Sequence, residues 1–413
     1  MLNAKDVSIV RELAAEVARI AALPVQEEKR KLWRKLNALK PARPMVMIDP
    51  GCWHEMDADD ELSLRCVDNE CRGYEQRFRR QLYQWRHCPG DMVVESFVSV
   101  PKAAFYSGFG LTVREKTLDS DPDNPVVSHA FENQLQSDDD LEKIRMPRIE
   151  HDPAETERRL AVAHELFDGL LEVRLVGSVP FPNLWDQIAE WMGMENALYA
   201  LVDRPDFIHR LLARMMRGHM GVLKQMEEQG LLCEPQEWVP FGMSSSGAYA
   251  EPVADYVPGK PRTKDLWTFG LAQPLATVSP VMFKEFEVDY ISPFCARFGK
   301  VYYGCCEPLD GKMAEVRLIP NVRKVSMSPW VDVERGAAAI GSDFVYSRKP
   351  NPAFLAYDRF NPEQVREDLL ATRKACESHG CPLEFILKDV STVRYEPERL
   401  AEWARIAMQV AGG

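Results

Sequence analysis

The chain has 413 residues, of which 46% are hydrophobic and 28% charged, and it contains nine Trp. This composition predicts a globular protein with a large core and argues against a disordered chain. The net charge of −12 argues against a nucleic-acid surface, because phosphate binding needs clustered Lys and Arg. No apolar run approaches the length of a membrane span, and charges from Lys5 to Glu12 argue against a signal peptide. We therefore predict a cytoplasmic protein that binds small molecules or other proteins, not nucleic acid or membranes.

The first part of the chain predicts a helical extension over residues 1–43. Two amphipathic helical patterns fill residues 4–40, and Pro24 separates them. The second pattern, EEKRKLWRKLNAL, is basic on one face. Packing against the body of the protein is favoured over binding a partner, because most amphipathic helices cover a core.

After Pro44, short apolar runs alternate with longer segments of helical period. The candidate strands are residues 44–49, 91–100, 171–179, 234–242, 266–272, 300–306, 322–328, 343–348 and 383–390. The clearest helices are residues 152–167, 203–229, 279–298, 361–378 and 396–410. This alternation predicts an α/β protein with a parallel sheet, and the closing helix favours a (β/α)8 TIM barrel over residues 44–413. Nine candidates compete for eight strand positions.

Two segments are too long for the minimal strand-helix repeat. We predict that residues 52–90 and 101–150 are insertions near the mouth of the barrel, the second with solvated loops at DSDPDNP and QSDDDLE. No GxGxxG follows a strand and no GxxxxGK[ST] occurs. The sequence therefore supports neither a dinucleotide site nor a P-loop.

Three segments carry a family resemblance. They are GSVPFPNLWDQIAEWMGMENALYALVDRPDFIHRLLARM (177–215), SPVMFKEFEVDYISPFCARFG (279–299) and YYGCCEPLDGKMAEVRLIPNVRKVSMSPWVDVERGAAAIG (302–341). Together they resemble the uroporphyrinogen-decarboxylase superfamily. The resemblance implies a TIM barrel and one of three activities: decarboxylation of uroporphyrinogen, zinc-dependent methyl transfer between corrinoid proteins and thiols, or corrinoid-dependent demethylation of methoxyl or methylamine compounds.

The first predicted strand departs from the decarboxylases of that superfamily. They resemble one another in an Arg-rich segment after this strand, which grips substrate carboxylates, whereas IDPGCWH (48–54) stands here. A substrate with many carboxylates would need several Arg at the mouth. The sequence therefore favours the corrinoid-dependent methyltransferase and demethylase branch.

A pair of cysteines, Cys305 and Cys306, ends the sixth candidate strand. In the zinc methyltransferases of the superfamily a His-x-Cys pair stands at this place, completed by a Cys at the end of the last strand. Here Gly304 replaces the His, and Lys388 and Asp389 end the last strand. By this resemblance Cys306 and Cys305 are candidate zinc ligands. A metal-free site in which they donate hydrogen bonds is the alternative.

Three charged residues at strand ends are candidate catalytic groups: Glu307, Lys388 and Asp389. Strand ends face the active-site mouth of a TIM barrel, and charges that leave a core there need a partner or a substrate. A lysine in a dry pocket can act as an acid. A structural salt bridge between Lys388 and Asp389 is the alternative.

Aromatic and polar side chains near other strand ends are candidates for holding a substrate. They are Trp53, His54, Trp185, Tyr249, Tyr303, Ser328 and Arg348. Aromatic walls with few polar groups suit a flat ligand, and the Arg348 fork suits a carboxylate.

These features favour a methyltransferase that moves a methyl group from a methoxylated or methylated small molecule to a corrinoid. Cobalt(I) is itself the nucleophile in such a reaction, so the protein needs only to orient the donor and stabilise the leaving group. No cobalamin-binding DxHxxG run occurs, and the corrinoid is therefore expected on a partner protein. The alternatives are a decarboxylase or lyase acting on a small carboxylated aromatic, and a binding protein on a barrel without activity. The sequence decides neither whether zinc binds nor whether the chain forms a homodimer.

Overall fold

Twelve strands form within the part of the chain that the computed structural model describes, which comprises residues 2–57, 59–118, 128–235, 249–250, 253 and 255–412. The strands are β1 (Met45–Ile48), β2 (Phe97–Pro101), β3 (Ala104–Tyr106), β4 (Glu115–Leu118), β5 (Ser128–Phe131), β6 (Ile149–His151), β7 (Glu172–Val176), β8 (Trp267–Gly270), β9 (Lys300–Tyr303), β10 (Val322–Met327), β11 (Val345–Arg348) and β12 (Leu383–Leu387).

The α-helices of the same residues cover and connect these strands. They are α1 (Ala4–Ala21), α2 (Pro24–Asn37), α3 (Asn69–His87), α4 (Pro153–Phe167), α5 (Leu184–Met192), α6 (Met194–Asp203), α7 (Pro205–Glu228), α8 (Pro280–Phe283), α9 (Asp289–Cys295), α10 (Met313–Val316), α11 (Val333–Ile340), α12 (Ala353–Ala356), α13 (Pro362–His379) and α14 (Glu398–Ala411). A π-helical turn over Lys284–Val288 joins α8 to α9.

The main sheet has six parallel strands in the order β1-β12-β11-β10-β9-β8. A parallel pair, β2 and β7, forms a second sheet, and a single parallel bridge joins Ser178 to Leu232. The predicted α/β class and parallel sheet are confirmed. Closure into an eight-stranded barrel stays a prediction, and residues 236–242 of the candidate strand 234–242 lie outside the described residues.

The two faces of the main sheet differ in polarity. Alternate residues such as Val325, Tyr346 and Phe385 pack in one large apolar core with residues of α13 and α14. The opposite face, which we call the inner face, carries Lys324, Ser347, Lys349, Glu384 and Tyr302, all buried. Side chains alternate between the two faces along each strand. A polar residue whose two neighbours pack in the apolar core therefore points to the inner face.

The main sheet is strongly curled around this inner face. Strands β9 and β12 are separated by two other strands, which would place them roughly 14 Å apart in a flat sheet. Side chains at their carboxyl ends nevertheless touch, since Lys388 Nζ lies 3.4 Å from Cys305 Sγ. The curl therefore brings the carboxyl ends of distant strands together.

The N-terminal helices close the opposite end of the sheet. Trp33 of α2 is fully buried in a cluster with Met45 and Val345, the first residues of β1 and β11. Its indole Nε1 donates a hydrogen bond to Asp91 O at 3.0 Å, and Lys324 Nζ lies 5.7 Å from its ring centre. Helices α1 and α2 occupy most of residues 4–40, and α2 packs on the body of the protein.

Residues 101–150 contain more regular structure than the predicted solvated loops. Antiparallel pairs form between β3 and β6 and between β4 and β5. The predicted DSDPDNP loop lies outside the described residues. Strands β4 and β5 are almost wholly exposed. They therefore lack the alternation of apolar and polar residues from which a strand is predicted. Among the described residues, no helix is both long and apolar enough to cross a membrane.

Candidate active site

Four side chains meet where β9 and β12 end. Lys388 Nζ lies 3.4 Å from Cys305 Sγ and 3.5 Å from Cys306 Sγ, and the two sulfurs are 3.5 Å apart. Asp389 accepts a hydrogen bond from Lys388 and lies 3.7 Å from Cys306 Sγ. The structure thus brings together two predicted catalytic residues and both predicted metal ligands.

These contacts divide the charge unequally between the two thiols. The hydrogen bond from Cys305 and the Lys388 ammonium lower the pKa of Cys306 to about 7, against burial and Asp389. The pKa of Cys305 is raised, because it donates to Cys306 and is buried. Burial opposes the charge of Lys388, but both cysteines and Asp389 outweigh it, so its pKa is raised. The cluster is therefore an ammonium beside a partly accessible thiol whose pKa is lowered.

The turn before the cysteines depends on Gly304. Its φ is +92°, and a Cβ there would lie 2.4 Å from Leu309 Cδ1. Ser326 Oγ donates to Cys305 O at 2.7 Å and fixes the turn from β10. Only glycine fits this position, which explains why no His can stand there.

Glu307 serves this turn as an acceptor. One carboxylate oxygen accepts a hydrogen bond from Ala272 N at 3.0 Å and the other from Cys305 N at 2.9 Å. The side chain is buried. Both carboxylate oxygens of Glu307 therefore accept backbone hydrogen bonds at the cysteine turn, which hold that turn in place. The catalytic role of Glu307 stays a prediction.

A separate cluster of buried acidic residues lies on the helix side of the sheet, next to the π-helical turn. Tyr303 OH donates to Glu287 Oε1 at 3.1 Å, and Glu287 Oε2 is buried without a hydrogen-bond partner. Burial, with the charges of Glu307 and Asp186, raises the pKa of Glu287 well above its ordinary value. Burial and Glu307 raise the pKa of Asp186 to about 6. Tyr303 thus belongs to the helix side of the sheet, apart from the cysteines.

Lys349 is the buried ionisable group that the sequence prediction left out of the site. Its Nζ donates to Ser347 Oγ at 2.8 Å and to Tyr302 OH. Burial lowers its pKa to about 7, opposed by Glu384. Ser347 also donates to Glu384, which pairs with Lys324 at 2.7 Å. Polar residues therefore run along the inner face from β10 to the residues that follow β11.

The segment after β1 carries Trp53 and His54. Trp53 packs edge-on against Tyr83 of α3, and Arg80 lies 5.1 Å from its ring centre. His54 lies edge-on to Tyr395 at 6.3 Å. Both residues belong to the segment that follows β1, and no described contact joins them to Cys305 or Cys306. Their assignment to substrate stays a prediction.

The other predicted substrate residues are not brought to the cysteines. Trp185 is buried in the core and donates to Phe286 O at 3.1 Å. Arg348 points to the helix side, where it donates to Ser328 O and to Asp368 of α13. Ser328 ends β10 and is buried. Tyr249 donates to Glu95 at 3.0 Å and packs with Trp33, at the amino end of the sheet.

The donor set at the cysteines does not fit a zinc ion as it stands. The Lys388 ammonium lies within 3.5 Å of both sulfurs, where it already supplies the positive charge that a metal would bring. Across the described residues, no group of three or more His, Cys, Asp or Glu side chains is arranged to hold a metal. The arrangement can instead stabilise negative charge and exchange a proton.

Comparisons with known proteins give a structural relationship without a sequence relationship. No known family model matches the chain, and no curated protein is similar in sequence. A solved structure of a methyltransferase from Methanosarcina mazei is similar with a TM-score of 0.51 at 10% sequence identity. The similarity covers 92% of this chain and 98% of that chain. At this identity it shows that the two chains share a fold.

Proposed function

We propose that the chain is a methyltransferase that moves a methyl group from a methoxylated or methylated small molecule to a corrinoid on a partner protein. The observation that carries the proposal is the cluster of Lys388, Cys305 and Cys306 at the carboxyl ends of β9 and β12. In α/β proteins with parallel sheets this end of the strands is where ligands bind.

The cluster supplies what the leaving group needs. In the reaction the bond between the methyl carbon and the donor's oxygen or nitrogen breaks, and the methyl group goes to the corrinoid cobalt. A methoxyl oxygen keeps the electron pair and then requires a proton, whereas the nitrogen of a quaternary ammonium leaves as a neutral amine. Lys388, whose raised pKa keeps it charged, stabilises the developing negative charge. Cys306, with a pKa of about 7, is matched to deliver the proton near neutral pH.

The fold supports the same class of reaction. The chain shares its fold with a protein that is a methyltransferase, over nearly the whole of both chains. The curl of the main sheet and the parallel pair β2 and β7 are consistent with a closed TIM barrel. We therefore also propose membership of the uroporphyrinogen-decarboxylase superfamily, in its corrinoid-dependent branch. The engagement of Arg348 by Asp368 weakens the decarboxylase alternative, which assigned that side chain to a substrate carboxylate.

The proposal is tested by methyl transfer to cob(I)alamin, followed by absorbance across methoxyaromatics, methylamines and betaines with candidate corrinoid proteins. We expect Lys388→Met to lower the rate by roughly 10²–10⁴-fold, the range typical of a positioned acid or charge. Lys29→Met is the matched control, because Lys29 is also buried but donates to Gly90 O and Met92 O near the amino ends of the strands.

Three results decide the matter. Methyl transfer that depends on Lys388 and not on Lys29 supports the proposal. Absence of transfer across the panel, together with CO₂ release from a carboxylated aromatic, gives the case to a decarboxylase. Stoichiometric zinc in protein purified without chelator, lost in Cys306→Ser, would replace the proposed role of Lys388 with that of a metal.

A further inference from the structure

The segment after β12 has an unusual backbone. Three residues other than glycine adopt left-handed conformations: Asp389, Arg394 and Tyr395, with φ of 57°, 58° and 57°. Such conformations are unfavourable for residues with a Cβ and persist only when the surroundings hold them. We call residues 389–395 the strained loop. Its first residue is the one whose carboxylate lies beside Cys306.

A single carboxylate from a remote part of the chain holds this loop. Glu55 Oε2 accepts hydrogen bonds from Val393 N at 2.7 Å, Thr392 Oγ1 at 2.9 Å and Tyr395 N at 3.2 Å. Glu55 is only 7% exposed and lies in the short turn that follows β1. These hydrogen bonds lower its pKa against the effect of burial, so it stays ionised at neutral pH.

The contacts inside the loop depend on the same residue. Thr392 Oγ1 donates to Glu55 and also accepts from Arg394 N at 2.9 Å. Thus two of the three left-handed residues, Arg394 and Tyr395, have their backbone N–H groups tied directly or through Thr392 to the Glu55 carboxylate. Other contacts of the loop are the burial of Val390 and Val393 and the ion pair of Arg394 with Asp358.

We infer that Glu55 is a positioning residue, which holds the strained loop in its left-handed form and thereby keeps Asp389 against Lys388 and Cys306. The strands that carry the two sides of this contact, β1 and β12, are neighbours in the main sheet. Glu55 thus joins the turn after β1 to the reactive end of β12. The inference concerns how the thiol site is assembled and holds whichever reaction the site performs.

The test compares Glu55→Gln with Glu75→Gln. Glu75 is a matched control because it is also buried and accepts backbone N–H groups of a loop, from Arg65 and Cys66, while it lies on α3 and has no described contact with Cys305 or Cys306. The rate of iodoacetamide labelling at Cys306 is measured against pH by peptide mass spectrometry, together with hydrogen exchange at Val393 and Tyr395. Thr392→Ala is a milder second variant, should Glu55→Gln fold poorly.

Asp389 raises the pKa of Cys306, so freeing the loop should lower that pKa. We expect Glu55→Gln to label at least about threefold faster at pH 6, as a fall of half a pKa unit produces, and to exchange faster at Val393. Asp389→Asn should reproduce the shift in labelling without faster exchange. Adding Arg394→Gly, which accepts the left-handed backbone, should partly restore the Glu55→Gln profile.

Other outcomes overturn the inference. Glu55 has no positioning role if Glu55→Gln labels like the unaltered protein, or if Glu75→Gln changes the labelling equally. A shift of labelling to higher pH would mean that Lys388, not Asp389, is displaced, and would also refute it. Methyl-transfer activity is not needed for any of these measurements, so this inference and the proposed function can fail separately.

Discussion

Cys306 combines three properties that rarely coincide in one thiol. It is partly accessible, its pKa is about 7, and a lysine with a raised pKa lies 3.5 Å away. An unperturbed thiol has a pKa of about 8.5 and is mostly protonated at neutral pH. The lowered pKa of Cys306 favours its thiolate relative to such a thiol, so it can act as a nucleophile or as a proton carrier.

The neighbour of Cys306 should control this property. Because the hydrogen bond from Cys305 is the largest cause of the lowered pKa, Cys305→Ala should move the midpoint of Cys306 labelling from about 7 toward about 8.5. The sign follows from the loss of a donor to the charged form, which disfavours the thiolate. Labelling rates between pH 5 and pH 10 measure the shift.

Cys376→Ala is the control for that measurement. Cys376 of α13 and Cys381, which lies just before β12, form another pair of neighbouring thiols, away from Lys388. Its loss should leave the Cys306 profile unchanged. A profile that does not move in Cys305→Ala would show that Lys388 alone sets the pKa.

Strand ends could be predicted from the sequence, but the direction of a side chain at each end could not. The predicted set of Cys305, Cys306, Lys388 and Asp389 is brought together because all four follow a strand. Arg348 also lies at a strand end, yet a shift of one residue along a strand changes the face, and it points to α13. No local pattern marks a residue such as Glu55, since its partners lie 337 to 340 residues away.

At the scale of elements, the inner face is held by an ion pair across three strands. Lys324 of β10 and Glu384 of β12 are 2.7 Å apart over Ser347 of β11, and both are fully buried. Desolvation lowers the pKa of Lys324, whereas the two nearby lysines lower that of Glu384 despite its burial. The pair fixes the relative positions of the strands that lead to the reactive end.

Loss of both partners should cost less stability than the sum of the two single losses. Lys324→Met leaves the buried Glu384 carboxylate without its ion-pair partner, and we expect a destabilisation of roughly 3–5 kcal/mol. The double variant Lys324→Met with Glu384→Leu should lose less than the sum of the single changes, because the carboxylate left without Lys324 is then also removed. Urea unfolding measures both. If the double variant loses as much stability as the two single variants together, the two residues are not energetically coupled.

Several buried elements could be predicted from the sequence, but the helices α3 and α5 were not among those predicted. Helices α4, α13 and α14 begin and end within two residues of their predicted bounds, since each has a cap or proline signal and an apolar stripe. The exposed strands β4 and β5 were missed for want of such a stripe. The π-helical turn divides the uninterrupted helix that was predicted over residues 279–298. No residue type predicts such a turn from sequence.

For the molecule as a whole, the N-terminal helices are part of the core. Trp33 fills the amino end of the main sheet against Met45 and Val345. Trp33→Ala should therefore cost roughly 3–5 kcal/mol of stability, measured by urea unfolding. Trp330→Ala is the matched control with little expected effect, because Trp330 is 72% exposed. A small effect of Trp33→Ala would mean that the extension is dispensable.

The contact between Cys306 and Lys388 links residues 82 positions apart on strands that are not neighbours in the sheet. Contacts of long sequence separation form late in folding, because closure of the intervening chain must come first. During synthesis, Cys306 leaves the ribosome well before Lys388. The share of its lowered pKa that comes from the Lys388 ammonium is therefore gained only when β12 docks, whereas the hydrogen bond from Cys305 comes from the neighbouring residue.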